Sequence, residues 1–344
     1  MAKRSIKVAI IGVGNVASAL VQSLYSRKVE GVWHPRIGGY RREDIELVSA
    51  FDIDRKKIGK DLSEAIFTTP NVSPKFAEMK KTGITVQPGM LFDDVPKHLS
   101  GNAADGSDNF SDLLTESKPD IALNLIPSGM QDTSSEYAAC AIRAKCSFIN
   151  ATPAKIATDK AIRSKFSSSK LVVVGDDLMS QFGGTAFHKG ILDFMNGRGL
   201  KIEKSYQLDV GGGNETLNTI NERVRAEKRD IKTDIISEEI PYKFKTMAGT
   251  TDYVDYMGNN RTSYFWIAAK SFFDSDVQID VYLRTNDGAN AGNVLLDVLR
   301  AVAKSQRSHH YGAQKEICDY GFKKLTKPVL LHQAHAEFMK KYSR

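Results

Sequence analysis

Two lysines one helical turn apart, Lys228 and Lys232, and a glycine turn near the start of the chain, Gly12-Val13-Gly14, are the residues whose types and spacing could do chemistry. Lysines four apart on a helix share one face. Such a pair can hold an anion, and mutual repulsion or burial can lower the pKa of one member enough for it to carry a proton while the other stays charged. The same spacing also suits a solvated helix face, so the pair gains meaning only beside a second motif.

That second motif is the stretch Lys7-Val8-Ala9-Ile10-Ile11-Gly12-Val13-Gly14-Asn15-Val16-Ala17, which reads as strand, turn and helix. In a nucleotide-binding βαβ unit Gly12 makes the tight turn and Gly14 lets the backbone approach a pyrophosphate. Ala17 permits close helix packing. The helix N-terminus, with Asn15 and Val16, then faces the phosphates. A second apolar run, Ile45 to Phe51, ends at Asp52, whose carboxylate could accept bonds from the adenosine ribose. An acid there favours NAD over NADP, because a 2′-phosphate would meet its charge. Asp52 lies 38 residues beyond Gly14, against about 20 in the usual fingerprint; a Gly-, Pro- and Arg-rich segment, 31–42, accounts for the excess. A glycine turn of some other α/β protein is the alternative to this reading.

The rest of the chain frames these motifs. A length of 344 residues with 41% apolar and 26% charged residues suits two folded units. Cys140, Cys146 and Cys318 are too few and scattered for a disulfide framework or a thiolate metal cluster, which points to a reducing compartment. The basic opening Met1-Ala2-Lys3-Arg4 runs into a strand without a signal-peptide core, and no apolar run approaches a membrane span. We therefore expect a cytoplasmic protein. The net charge of +7 is spread along the chain without a dense basic run, which fits a phosphorylated small molecule and argues against nucleic acid.

Strand and helix signals alternate as in a doubly wound parallel sheet. Ile121 to Ile126 reads as a buried strand ending at Pro127-Ser128-Gly129, followed by a helix from Glu136 to Lys145. Cys146 to Ile149 closes at Asn150-Ala151-Thr152, and Leu171 to Val174 ends in Gly175-Asp176-Asp177. Ligands bind beyond the carboxyl ends of such strands, so Pro127, Ser128, Ala151, Thr152 and Asp177 are candidate cofactor contacts. Asp176 reads as a cap or turn residue. Residues 100–111, rich in Gly, Asn, Asp and Ser, read as a mobile loop. After a helix over 183–196 the pattern changes: Val277 to Arg284 alternates apolar and polar residues, with Tyr264 to Ile267 as companion, the mark of an antiparallel sheet with one covered face. Helices over 290–304 and 329–341 follow. The expected fold is α/β, a Rossmann-type doubly wound parallel sheet (1–184 with 290–344) carrying an inserted α+β unit with a largely antiparallel sheet (185–289).

Within the insertion lies Asp209-Val210-Gly211-Gly212-Gly213-Asn214-Glu215-Thr216-Leu217-Asn218, and then the helix bearing Lys228 and Lys232. Together with Gly12-Val13-Gly14-Asn15, Phe51-Asp52-Ile53-Asp54 and Gly175-Asp176-Asp177 with Ser180-Gln181, this resembles the myo-inositol-1-phosphate synthase family, in its compact bacterial and archaeal form, over nearly the whole chain. The resemblance implies a redox-neutral cyclisation of glucose 6-phosphate to inositol phosphate with NAD bound throughout. Oxidation at C5 acidifies C6; enolisation, an intramolecular aldol step and reduction follow. Such a path needs a base, cations where oxyanions develop and anchors for phosphate. It further implies that Lys228, Lys232 and Lys323 line the substrate pocket and that Asp177 sits between nicotinamide and substrate. Asp287 binds substrate hydroxyls or orients a lysine, Asn218 keeps the family's asparagine, and Ser180 joins the cofactor contacts. A homotetramer is implied as well. Some prokaryotic relatives use a divalent ion near the phosphate, so a divalent cation stays open as a second cofactor, although no metal-ligand spacing stands out.

Three positions depart from the family pattern: Gly213 and Glu215 in the glycine segment, Asn259-Asn260-Arg261 in place of Asp-x-Lys, and Met179 in place of a lysine. Arg261 keeps a cation that can clamp phosphate but cannot shuttle protons. A cyclase or oxidoreductase acting on another sugar phosphate, and a non-catalytic NAD-binding relative, are the alternatives. His188, His309 and His310 read as packing or surface residues.

Overall fold

The structure, a computed structural model, describes residues 5–96 and 99–343; the basic opening Met1 to Arg4 lies outside the described residues. Short apolar runs form strands buried on both faces, as a parallel sheet with helices on each side requires. These are β1 (Ile6–Ile11), β2 (Ile45–Asp52), β3 (Val86–Pro88), β4 (Ile121–Asn124), β5 (Ser147–Asn150) and β6 (Val172–Val174). With β11 (Gly312–Ala313) they make a seven-stranded sheet in the order β11-β6-β5-β4-β1-β2-β3, every pair parallel. The order reverses between β1 and β4, which opens a crevice at their carboxyl ends.

One face of this sheet packs on α1 (Asn15–Tyr25) and α9 (Asp287–Arg307), and Val8, Ile10, Leu20, Leu295 and Leu299 form its core. The other face packs on α3 (Ser107–Ser117), α4 (Gln131–Arg143) and α5 (Lys160–Ser168) through Phe51, Phe110, Tyr137 and Phe166. Of the loop expected over 100–111, the part up to Gly106 is irregular backbone, and the part from Ser107 is helical. Ala103 bridges to Asp54, α3 starts at Ser107, and Phe110 is fully buried with its ring 4.6 Å from that of Phe51. Polar composition concealed this anchor, since a single apolar residue fixes the segment.

The second sheet is built from β7 (Lys201–Gly211), β8 (Lys245–Tyr253), β9 (Asn260–Lys270) and β10 (Asp276–Asn286), in the order β10-β9-β7-β8. It is mixed: β10-β9 and β9-β7 are antiparallel, whereas β7-β8 is parallel. Helices α6 (Gly184–Gly197) and α8 (Glu222–Ser237) cover one face, burying Leu192, Met195, Ile235, Ile236, Ala248 and Ile267. A short helix, α7 (Asn214–Asn218), joins β7 to α8. The chain then returns to the first sheet through α9, β11 and α10 (Lys315–Gly321), and ends in α11 (Leu331–Tyr342).

Candidate active site

The glycine turn is shaped by its neighbours as much as by any ligand. Gly12 has φ +94°, and a Cβ there would lie 2.8 Å from the carbonyl carbon of Leu125 at the end of β4, so only glycine lets the two strands run side by side. Gly14 precedes α1 and has open space where its Cβ would stand. A phosphate could therefore reach the backbone at the helix N-terminus. Val13 N–H donates to Asp52 Oδ2 at 2.7 Å and Asp54 N–H to Oδ1 at 2.8 Å, and the Asp52 side chain so held lines the cavity. Lys57 Nζ reaches Val13 O at 2.9 Å, Asn71 Oδ1 at 3.1 Å and Asp52 Oδ2 at 3.4 Å. Sequence reasoning passed over Lys57 and Asn71 as site residues; only the Lys57-Ile58-Gly59 segment could have signalled them. The cofactor role expected of Asp52 is tested by fluorescence titration with NAD and NADP: Asp52→Ala should show an NAD affinity about tenfold or more lower and a narrower difference between the two dinucleotides.

The loops after β5 and β6 carry the next layer. Asn150 Nδ2 donates to Asp176 Oδ1 at 2.8 Å, and the N–H groups of Ile156, Ala157 and Thr158 also converge on Asp176. Asp176 thus organises the turn. Asp177 is the residue that faces the cavity, with φ +61° and its N–H held by Thr152 O at 2.7 Å. The segment after α10 docks against it: Lys323 N–H donates to Asp177 O, and Lys323 Nζ lies 2.7 Å from Asp177 Oδ1. Met179 is buried, with its N–H on Gly321 O, and lines a separate apolar cavity beside Trp33 and Tyr320.

The second sheet and α8 supply the cations. Lys228 pairs with Glu215, whose Oε1 also accepts from Ser128 Oγ at 2.7 Å. Lys232 Nζ lies 2.5 Å from Asp209 Oδ2, and Arg261 Nε 2.9 Å from Asp287 Oδ2. Burial drives the Lys228 ammonium well below the usual lysine range; Asp177 opposes the shift, while Lys323, Lys232 and Arg261 reinforce it. Burial also lowers Lys232, against the pull of Asp209. For Asp177 burial pushes the carboxyl up, but Lys323 and Lys228 outweigh it and the net shift is downward.

Every residue proposed from the sequence lines one continuous cavity. Gly12, Gly14, Asn15, Val16, Asp52, Pro127, Ser128, Ala151, Thr152 and Ser180 lie along its walls, as do Asp177, Asn218, Lys228, Lys232, Arg261, Asp287 and Lys323. Two of the departures meet there: a Cβ at Gly213 would stand 3.4 Å from Asn259 Oδ1. His188 is buried and hydrogen-bonded on α6, and burial lowers it to about 4, so it is neutral; His309 and His310 are exposed. Among the described residues no group of three or more His, Cys, Asp or Glu is placed to hold a metal ion. Asp177, Asp209, Glu215 and Asp287 are each engaged by a lysine or arginine. Among them, too, no helix is long and apolar enough to cross a membrane.

A doubly wound sheet whose switch-point crevice opens onto Lys228, Lys232 and Lys323 places the molecule in the α/β class, with a ligand cavity at the carboxyl ends of its strands. Residues 183–288 match the family described as myo-inositol-1-phosphate synthase. The inositol-3-phosphate synthase of Mycobacterium tuberculosis (strain ATCC 25618 / H37Rv) is 34% identical over 314 residues, 87% of this chain and 85% of the relative. That of Corynebacterium glutamicum is 30% identical over 319 residues, 88% of each chain. The fold matches the crystal structure of a myo-inositol-1-phosphate synthase-related protein from Thermotoga maritima MSB8, with a TM-score of 0.79, 21% identity and 98% of both chains covered. The chain belongs to the myo-inositol-1-phosphate synthase family.

Proposed function

We propose that the protein converts glucose 6-phosphate to inositol phosphate by a redox-neutral cyclisation with NAD. The observation that carries this reading is the meeting of Lys228, Lys232, Lys323 and Arg261 with Asp177 in the cavity that also holds the glycine turn. NAD would be held by Gly12, Gly14, Asn15, Val16 and Asp52, with Pro127, Ser128, Ala151, Thr152 and Ser180 along its length. Its chemistry there is to accept a hydride from the sugar and give it back.

The chain's own residues do the rest. Lys228, whose pKa burial and the neighbouring cations lower, takes the proton that becomes acidic beside the C5 ketone. Lys232 and Arg261 stay charged beside Asp209 and Asp287, and stabilise the oxyanions of the enolisation and aldol steps or hold the phosphate. Lys323 is fixed by Asp177 at the other wall. Asn218 and Asp287 offer polar contacts to sugar hydroxyls. The carboxylates of the cavity are all engaged by cations, which is a poor donor set for a divalent ion, and no step is assigned to one. The paired departures at Gly213 and Asn259 favour, as the second reading, a related sugar phosphate of different outline.

We further propose that residues 1–184 with 290–344 form the cofactor unit and 185–289 the catalytic and assembly unit of a cytoplasmic homotetramer. The face of the second sheet away from α6 and α8 carries Tyr206, Met247, Tyr264, Trp266 and Tyr282, and Tyr206 stacks on Trp266 at 5.4 Å. Such a patch is suited to subunit contact. Trp266→Glu is expected to shift the protein to smaller species in sedimentation velocity; unchanged assembly would count against this face.

The reaction is tested by incubating the protein with NAD and glucose 6-phosphate and following phosphorus and proton NMR spectra. Inositol phosphate without net NADH is expected. Accumulating NADH would indicate a simple dehydrogenase, and bound NAD without turnover of any sugar phosphate would indicate a non-catalytic relative.

A further inference from the structure

Lys228 and Lys232 differ in what holds them. The partner of Lys228 is Glu215, whose side chain is 47% exposed at the rim; the partner of Lys232 is Asp209, whose side chain is 1% exposed. An exposed pair is screened by water and contributes little, whereas a sealed one is not. Resting on the cyclase reading, we propose that Asp209 is a positioning residue that fixes Lys232 as a standing cation of the site and thereby leaves proton exchange to Lys228.

The surroundings of Asp209 are built to keep its charge. Ser263 Oγ donates to Oδ1 at 2.6 Å, and Gln207 Nε2 donates to both oxygens at 2.8 and 3.0 Å. Gln207 then presents Oε1 to His188 Nδ1 at 3.3 Å, so that nitrogen carries the proton. The unprotonated Nε2 accepts from Ser205 Oγ at 3.0 Å, and Ser205 in turn accepts from Thr246 Oγ1 at 2.8 Å. This order of donors is the one that satisfies every group in the chain. All of its dipoles point positive end toward Asp209. A Cβ at Gly184 would collide with Gln207 Nε2, so the glycine at the start of α6 is what lets the helix seal this chain from water. Burial raises the Asp209 carboxyl, but Lys232 and Arg261 outweigh it and hold it low. The charged groups facing Lys232 are Asp209 from β7, Arg261 from β9, Lys228 from its own helix, Lys323 after α10 and Asp177 after β6. Asp209 is the carboxylate among them in direct contact with Lys232.

The test is a titration of the full chain labelled with [ε-13C]lysine, the two resonances being assigned with Lys228→Arg and Lys232→Arg. On raising the pH, Lys228 is expected to lose its proton first, with Lys232 titrating above it or not at all in the accessible range. In Asp209→Asn the Lys232 titration should fall by about one pH unit or more, and that of Lys228 by less. A wild-type Lys232 that titrates at or below Lys228, or one that does not move in Asp209→Asn, overturns the proposal. The wild-type order decides even if the variant does not fold. No turnover is needed, so failure here is distinct from failure of the cyclase reading, which the product assay judges.

Discussion

Lys228→Ala is expected to lower kcat by about 10²–10⁴-fold, the range for loss of a positioned base, while NAD affinity stays unchanged. Lys228→Arg separates a base from a mere cation. Arginine restores the positive charge but cannot give up its proton at ordinary pH, so the variant should remain as slow as the alanine form. Recovery of the rate with arginine would show that position 228 serves only as a charge. The pH dependence follows from the same group. In the proposed reaction the neutral amine is the active form, and burial holds its pKa well below that of a free lysine. The rate should therefore rise with pH through that lowered pKa and level off above it. An acid limb near the range of a free lysine would contradict the account.

The second large effect is on stability. Asp297→Ala is expected to cost about 3–5 kcal/mol of unfolding free energy, because it strands a buried arginine. Asp297 and Arg300 are both fully buried on α9, with Arg300 Nη2 2.5 Å from Asp297 Oδ1. His34 Nδ1 and the Tyr320 hydroxyl each donate to Asp297 Oδ2 at 2.6 Å. Arg300 also donates to the carbonyls of His34, Pro35 and Leu296. The network thus pins the 31–42 segment and α10 to α9, and α10 leads directly to Lys323. Urea unfolding of the variant should show the loss, and a change under about 1 kcal/mol would mean that the arginine finds water or another partner.

Part of the molecule was legible in the sequence and part was not. The turn at Gly12, the strand ending at Asp52 and the runs of β4 to β6 could be read because local sterics and burial on both faces dictate them. Strand β10 could be read because one of its faces is covered and the residues alternate. Strand β11 could not, since two residues carry no period. Strand β8 is interrupted by Gly249, where a Cβ would lie 3.3 Å from Arg229 Cγ of α8; its glycine answers to a neighbour distant in sequence. Lys228 and Lys232 stood out by spacing, and Lys323 and Asp287 by resemblance. Asp209 did not, because an acid within an alternating strand reads as solvent-facing, and only the packing of α6 turns that face inward. Lys57 and Asn71 were hidden for a like reason: their roles depend on Val13 and Asp52, to which folding brings them.

In the proposed cyclisation a hydride leaves C5 of the sugar and returns to the same carbon. Glucose 6-phosphate deuterated at C5, supplied with unlabelled NAD, tests it most directly. Inositol phosphate carrying the deuterium at the carbon derived from C5, with no labelled NADH released, is the predicted result. Deuterium lost to solvent, or recovered in free NADH, would contradict it.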